Sequence, residues 1–141
     1  MNRGGPIIII EDDRDDQEMF TEIFAELNYE NKIIFFKEGE LALDYLTKTD
    51  IEPFLILSDI YMPKLTGMDL REKIHQNEDL RLKCIPFLFF STLAEQQFVV
   101  DAYSKSIQGF FIKPNSYQGI REAIRTIVEY WQACVSPNYI K

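Results

Sequence analysis

Side chains able to act on a phosphate group follow four short apolar segments of this chain. They are Glu11-Asp12 after residues 7–10, Asp59 after 54–57, Ser91-Thr92 after 85–90 and Lys113-Pro114 after 110–112. Carboxylates brought close together cannot all be ionised unless one pKa rises or a cation joins them. Magnesium accepts one or two carboxylates and keeps several waters. If the four segments end at one edge of the fold, they predict a divalent metal site.

A phosphoryl group carried by Asp59 would suit these neighbours. The Asp59 carboxylate can act as a nucleophile toward phosphorus. The Lys113 ammonium would neutralise one phosphoryl oxygen as a point charge, and the Ser91 hydroxyl would donate a hydrogen bond to another. The expected chemistry is therefore phosphoryl transfer, which depends on positioning and charge neutralisation.

The four apolar segments are typical of strands buried on both faces. They are rich in β-branched or aromatic residues, too short for helices, and do not alternate with polar residues. Such strands belong to parallel sheets covered by helices. A fifth segment, residues 32–36, has charged neighbours and predicts a more exposed edge strand.

Helical patterns lie between the strands. One apolar stripe runs from Met19 to Leu27 and another from Ile120 to Trp131, with weaker helical segments at 40–47, 67–76 and 95–104. Strand and helix thus alternate five times, which predicts an α/β fold with right-handed crossovers. In such sheets ligands bind at the carboxyl ends of the strands, where the side chains described above are expected to meet.

Three further acids, Asp13, Asp15 and Asp16, stand where the first helix should begin. We interpret them as carboxylates favoured by the helix dipole rather than as metal ligands. Asp15 and Glu18 have the spacing of a capping box.

Composition narrows the possible partners. The 141 residues carry a formal net charge of −8, which argues against nucleic acid and anionic membranes as partners. Cys84 and Cys134 lack the spacing of a zinc site. No signal peptide or membrane span is recognisable, so we expect a cytoplasmic protein. We also expect one domain over residues 1–141, with a core at about 6–134 and a short tail.

The motifs together resemble the receiver domains of two-component response regulators. They are the Glu11-Asp12 pair, the run from Asp59 to Pro63 with Gly67 beyond, Ser91-Thr92, and the run from Gly109 to Pro114. The resemblance covers essentially the whole chain and is to the stand-alone, single-domain type. It implies a flavodoxin-like fold of five βα units, with a parallel sheet of order 2-1-3-4-5 and helices on both faces.

The resemblance also implies a metal site. Asp59 is the phosphoacceptor, and Asp12, Asp59 and the Tyr61 carbonyl bind Mg²⁺ or Mn²⁺. Glu11 acts through a metal-bound water.

Further roles follow from the same resemblance. Lys113 pairs with the acceptor and then with the phosphoryl group. Ser91 and Phe110 change position on phosphorylation. Thr92 and Pro114 lie beside the phosphate, and the Lys113–Pro114 bond is cis, although X-Pro bonds ordinarily favour trans.

Two positions depart from many receivers. Tyr61 and Leu93 stand two residues after the acceptor and two after the switch hydroxyl, where polar or acidic side chains often guide the hydrolytic water. These bulky residues predict slow self-dephosphorylation.

The implied partners are a sensor histidine kinase or phosphotransfer protein and a downstream protein. The latter would bind the face formed by the fourth helix, fifth strand and fifth helix, and a homodimer is a further possibility. The expected molecule is a phosphoacceptor signalling protein, not an enzyme acting on other substrates.

Two alternatives remain open. A dehalogenase-like phosphatase would also use an aspartate nucleophile with magnesium, but it needs a second Asp where Tyr61 stands. A receiver fold that has lost phosphorylation would act as a constitutive interaction module.

Overall fold

The computed structural model describes residues 1–48, 50–62, 64–92 and 95–137. The five strands are β1 (Ile7–Ile10), β2 (Ile33–Phe36), β3 (Leu55–Ser58), β4 (Phe87–Ser91) and β5 (Gly109–Ile112). The six helices are α1 (Arg14–Leu27), α2 (Gly39–Lys48), α3 (Gly67–Gln76), α4 (Glu78–Leu82), α5 (Gln96–Ser104) and α6 (Tyr117–Ala133).

All five strands pair in parallel in the order β2-β1-β3-β4-β5. The expected flavodoxin-like fold and strand order are therefore confirmed. Every residue of β1, β3 and β4 is buried, whereas all four residues of β2 are partly exposed, as predicted for an edge strand. Because neighbouring strands are parallel, their carboxyl ends meet at one edge.

Two apolar layers flank the sheet. On one face, alternate sheet residues pack against α2, α3, α4 and α5, through side chains such as Leu46, Leu70 and Ala102. On the other face, the intervening sheet residues pack against α1 and α6, through Ile23 and Ile124 among others. The period-2 alternation of strand side chains assigns neighbouring residues of each strand to opposite layers.

Two helices differ from the sequence-based expectation. The segment before β4, for which no helix was expected, contains the short helix α4, capped by the Asn77 side chain accepting from Leu80 N. At the start of α1 the cap is Asp13, whose carboxylate accepts from the backbone N–H groups of Asp15 and Asp16. The capping box expected from Asp15 and Glu18 is therefore wrong, because the N-cap is Asp13, two residues before Asp15.

Candidate functional site

Three carboxylates meet at the carboxyl edge of the sheet. Glu11 and Asp12 directly follow β1, Asp59 directly follows β3, and one carboxylate oxygen from each lies within 4.8 Å of the others. Glu11 is buried, Asp59 is half-buried and Asp12 is exposed. The cluster thus has a buried side at Glu11 and an exposed side at Asp12.

The backbone fixes Asp59 firmly. Its N–H donates to the carbonyl of Ile10 at the end of β1 (3.1 Å), and its Oδ1 accepts from Ile60 N (2.7 Å). Its carbonyl accepts from the Ser58 hydroxyl (2.7 Å). A Cβ on Gly67 would lie 2.4 Å from this same carbonyl oxygen, so only glycine allows α3 to begin so close to Asp59.

Glu11 is a buried carboxylate, 3% exposed. Desolvation raises its pKa to about 7, and the charge of Asp59 adds to that rise, although the hydrogen bond and charge of Lys113 oppose it. A buried acid beside a second acid is costly when ionised, and a bound cation would relieve that cost.

Lys113, directly after β5, supplies the ammonium at this edge. Its side chain is 7% exposed, and Nζ donates to Glu11 Oε1 (2.7 Å) and to Asp16 Oδ2 (3.0 Å). Burial alone would lower the Lys113 pKa, but the hydrogen bond and charge of Glu11, followed by those of Asp16, outweigh burial and raise it.

The partner of Lys113 differs from the expectation. Among the described residues its ion pairs are with Glu11 and Asp16 and not with Asp59. The expected pairing with the acceptor is therefore wrong for this structure, because the ammonium lies within ion-pair distance of Glu11 and of Asp16 in α1 instead.

Asp16 is the site residue that sequence analysis missed. It was interpreted as a helix-start carboxylate, and it does lie in the first turn of α1. A signal was available, since Asp16 precedes the buried Phe20 by four residues and such pairs share one face of a helix. The Lys113 ammonium lies 5.8 Å from the centroid of the Phe20 ring.

The predicted switch residues lie on the neighbouring strands β4 and β5. Ser91 ends β4, is 1% exposed, and its carbonyl accepts from Lys113 N (2.8 Å). Phe110 in β5 is half-buried, with its ring centroid 5.9 Å from that of Phe89. Thr92 follows Ser91 and is exposed.

Tyr61 points outward from the loop after β3. It is 51% exposed, and its ring packs edge-on against Phe98 of α5 at 5.7 Å between centroids. Leu93 and Pro63, which also figured in the sequence motifs, lie outside the described residues.

Pro114 follows Lys113 and is half-buried. None of the peptide bonds among the described residues is cis. The expectation of a cis Lys113–Pro114 bond is therefore wrong for this structure, which has the isomer that X-Pro bonds ordinarily favour.

A family model for the response regulator receiver domain matches residues 7–125. The chain belongs to the response regulator receiver family. Members of this family are signalling proteins that work with histidine kinases and downstream effectors. The match includes both acids that follow β1, the acid that follows β3 and the lysine that follows β5.

Individual relatives and solved structures are similar to this chain over most of its length. The probable methanogenesis regulatory protein FilR2 of Methanothrix harundinacea is 28% identical over 129 residues, covering 89% of this chain and 82% of its own. The response regulator RPA3017 in red light signaling of R. palustris has a TM-score of 0.85 at 25% identity, covering 95% and 99% of the two chains. The Mn²⁺-bound form of response regulator Rcp1 has a TM-score of 0.79 at 24% identity, covering 92% and 96%.

The acidic cluster suits a divalent metal. Glu11, Asp12 and Asp59 offer only hard oxygen ligands, which Mg²⁺ and Mn²⁺ prefer. The arrangement fits the divalent metal site of receiver domains.

No helix among the described residues combines the length and apolar character needed to cross a membrane. The cytoplasmic location stays a prediction, as does the absence of nucleic acid among the partners.

Proposed function

We propose that this receiver accepts a phosphoryl group on Asp59 from a phosphohistidine of a sensor histidine kinase or phosphotransfer protein. The observation that carries the proposal is the meeting of Asp59 with Glu11, Asp12 and a buried lysine at one open edge of the sheet. An oxygen of Asp59 would form the new bond to phosphorus while the P–N bond breaks. The imidazole nitrogen keeps the electron pair of that bond.

The proposal assigns the metal to Asp12, Asp59 and the Tyr61 carbonyl, with Glu11 acting through a water. A bound Mg²⁺ or Mn²⁺ would offset the negative charge of the acceptor and of the incoming phosphoryl group. The hydrogen bond from Ile60 N to Asp59 Oδ1 supports this role, because it orients the acceptor carboxylate.

Lys113, Ser91 and Thr92 would surround the phosphoryl group once it is in place. Lys113 Nζ donates two hydrogen bonds in this structure and, as an ammonium, has a third N–H to offer. Ser91 ends the strand next to β5, and Pro114 follows Lys113. Movement of Ser91 toward the new charge, followed by Phe110, would carry the change outward along β5.

The output surface in this proposal is the face of α5, β5 and α6, which corresponds to the fourth helix, fifth strand and fifth helix of the sequence analysis. Exposed apolar side chains support it: Val100 is 53% exposed, Tyr103 52% and Ile112 57%. Large exposed apolar groups on one face favour recognition by a protein partner. A downstream protein or a second copy of this chain would suit this surface.

The proposal also covers the extent of the domain and the limits of its activity. Residues 1–141 would form one domain with a core at about 6–134, and the activity would be limited to self-phosphotransfer and slow self-dephosphorylation. The phosphatase alternative is not favoured, because Tyr61 stands where its second aspartate is needed. The constitutive interaction module is not favoured either, because the acids and the lysine are all present and brought together.

The test is the intact mass of the protein after incubation with acetyl phosphate and Mg²⁺, beside Asp59→Asn. We expect the wild type to gain the mass of one phosphoryl group, the chelator EDTA to abolish the gain, and Asp59→Asn to show none. The asparagine keeps the size of the side chain and removes the nucleophile.

A phosphorylated histidine kinase should be tried as donor in the same assay. If neither donor labels the folded wild-type protein, the proposal fails. Unchanged partner binding by Asp59→Asn, with and without donor, would then favour the interaction module.

A further inference from the structure

We propose that Asp16 is a positioning residue that holds the Lys113 ammonium on the α1 side of the site and thereby opposes the phosphorylated state. The inference rests on the proposed function and deepens it by naming a residue that sets the balance between the two states. Its basis is the ion pair between Asp16 Oδ2 and Lys113 Nζ at 3.0 Å.

The backbone determines where Asp16 lies. Asp13 caps α1 and accepts from Asp16 N (3.3 Å), so the first turn of the helix starts directly behind the acidic pair. Asp16 is also one turn before Phe20, against whose ring the Lys113 ammonium lies. The Asp16 carboxylate therefore points toward the carboxyl end of β5, and its side chain is only 28% exposed.

Lys113 is paired with two carboxylates, and metal binding should affect only one of them. Glu11 belongs to the acidic cluster, and engagement of its carboxylate with a metal-bound water would weaken its hold on Lys113. Asp16 is not part of that cluster, so its ion pair would persist when metal binds. Asp16 is thus the carboxylate that continues to compete with a phosphoryl group for the ammonium.

The charge of Asp16 has opposite effects on the two ligands of the site. An additional negative charge favours binding of a divalent cation and disfavours binding of a phosphoryl group, because both interactions follow Coulomb's law in a partly buried site. Holding Lys113 away from Asp59 acts in the same directions, since a free ammonium would repel the metal and attract the phosphoryl group. Removing the Asp16 charge should therefore weaken metal binding and strengthen phosphoryl binding.

The experiment measures both affinities in Asp16→Asn. Mn²⁺ binding is followed by the electron paramagnetic resonance of the free ion. Binding of beryllium trifluoride, a phosphoryl-like anion, is followed by calorimetry at Mg²⁺ saturating for each variant. We expect Mn²⁺ to bind about fivefold more weakly and beryllium trifluoride about fivefold more tightly than in the wild type.

Asp15→Asn is the matched control. Asp15 lies in the same first turn, is exposed, and makes no ion pair with Lys113 in the described structure. Asp15→Asn removes the same charge and the same helix-dipole interaction as Asp16→Asn. Because the Asp15 charge is screened by solvent and not paired with Lys113, we expect both affinities to stay within about twofold of the wild type.

The outcomes distinguish the positioning role of Asp16 from the proposed phosphoacceptor function. Opposite shifts in Asp16→Asn alone support the inference. If Asp16→Asn behaves like Asp15→Asn, or if both affinities shift in the same direction, the positioning role is wrong while the acceptor role of Asp59 stands. A wild-type protein that binds neither ligand would overturn the proposed function and the inference together.

Discussion

Arg71 and Lys113 are both buried cations, yet they lie at opposite ends of the sheet and have different partners. Near the amino end of β5, Arg71 donates from Nε to the carbonyl of Lys105 (3.1 Å) and from Nη2 to that of Ser106 (2.6 Å). No carboxylate in the described part of the chain forms an ion pair with Arg71. At the carboxyl end of β5, Lys113 instead pairs with two carboxylates.

The difference separates a cation with a structural role from one to which we assign a functional role in the proposal above. The carbonyl dipoles around Arg71 are fixed parts of the backbone, so no ligand can take them away. The carboxylates around Lys113 can be engaged by a metal or outcompeted by a phosphoryl group, so that network can rearrange. The cation at one end of the sheet is thus paired with backbone carbonyls that stay in place. The cation at the other end is paired with carboxylates whose partners can be exchanged.

The largest effect should follow from Lys113→Met, which removes the exchangeable cation but keeps the apolar stem. We expect the initial rate of phosphorylation by acetyl phosphate at saturating Mg²⁺ to fall by about a hundredfold, because a preorganised positive charge is lost. The protein should stay folded, since Glu11 can become neutral by taking up a proton. A rate within threefold of the wild type would remove Lys113 from the mechanism.

Arg71→Met tests the other end of the sheet. We expect the free energy of unfolding to fall by about 2 kcal/mol, because two carbonyls lose a charged donor. The phosphorylation rate of the folded protein should not change. Urea titration measures the first quantity and the acetyl phosphate assay the second.

Arg125→Met is the control for that variant. Arg125 is an exposed arginine of α6 paired with Glu122 and Glu129, and solvent-screened pairs of this kind contribute less than about 1 kcal/mol. Equal destabilisation by the two substitutions would contradict the structural role assigned to Arg71.

The smallest effect concerns Tyr61, near the acceptor but outside the charged network. We expect the phosphorylated protein to lose its phosphoryl group slowly, and Tyr61→Gln to speed that loss several-fold, because a polar side chain can orient the attacking water. Tyr61→Phe keeps the bulk and the edge contact with Phe98 and should leave the rate unchanged. The rate of phosphoryl loss is measured for all three proteins from the decay of the phosphorylated mass with time. A wild-type half-life of only seconds would count against the prediction.

Most of the fold was predictable because its signals are local. The Ile7–Ile10 strand and the Gly67–Gln76 helix have the bounds that were expected from apolar runs and helical spacing. The short helix α4 was not predicted, because five residues are too few to show a periodic pattern.

The candidate site was predictable up to the grouping of its side chains. Parallel strands end at one edge, so Glu11, Asp12 and Asp59 could be expected together. The pairing of Lys113 with Asp16 was not predicted, because it depends on the direction of α1 relative to β5 in three dimensions. Sequence order places these two residues 97 positions apart.

The most direct test of the central claim is to locate the phosphoryl group chemically. An acyl phosphate on an aspartate is reduced by borohydride to homoserine, which peptide mass spectrometry can assign to a position. After reaction with acetyl phosphate and Mg²⁺, the account predicts homoserine at position 59 and none at positions 12 or 16. It also predicts no 5-hydroxynorvaline, the reduction product of a glutamyl phosphate, at position 11. A labelled protein with homoserine elsewhere, or with its phosphoryl group on another side chain, would contradict it.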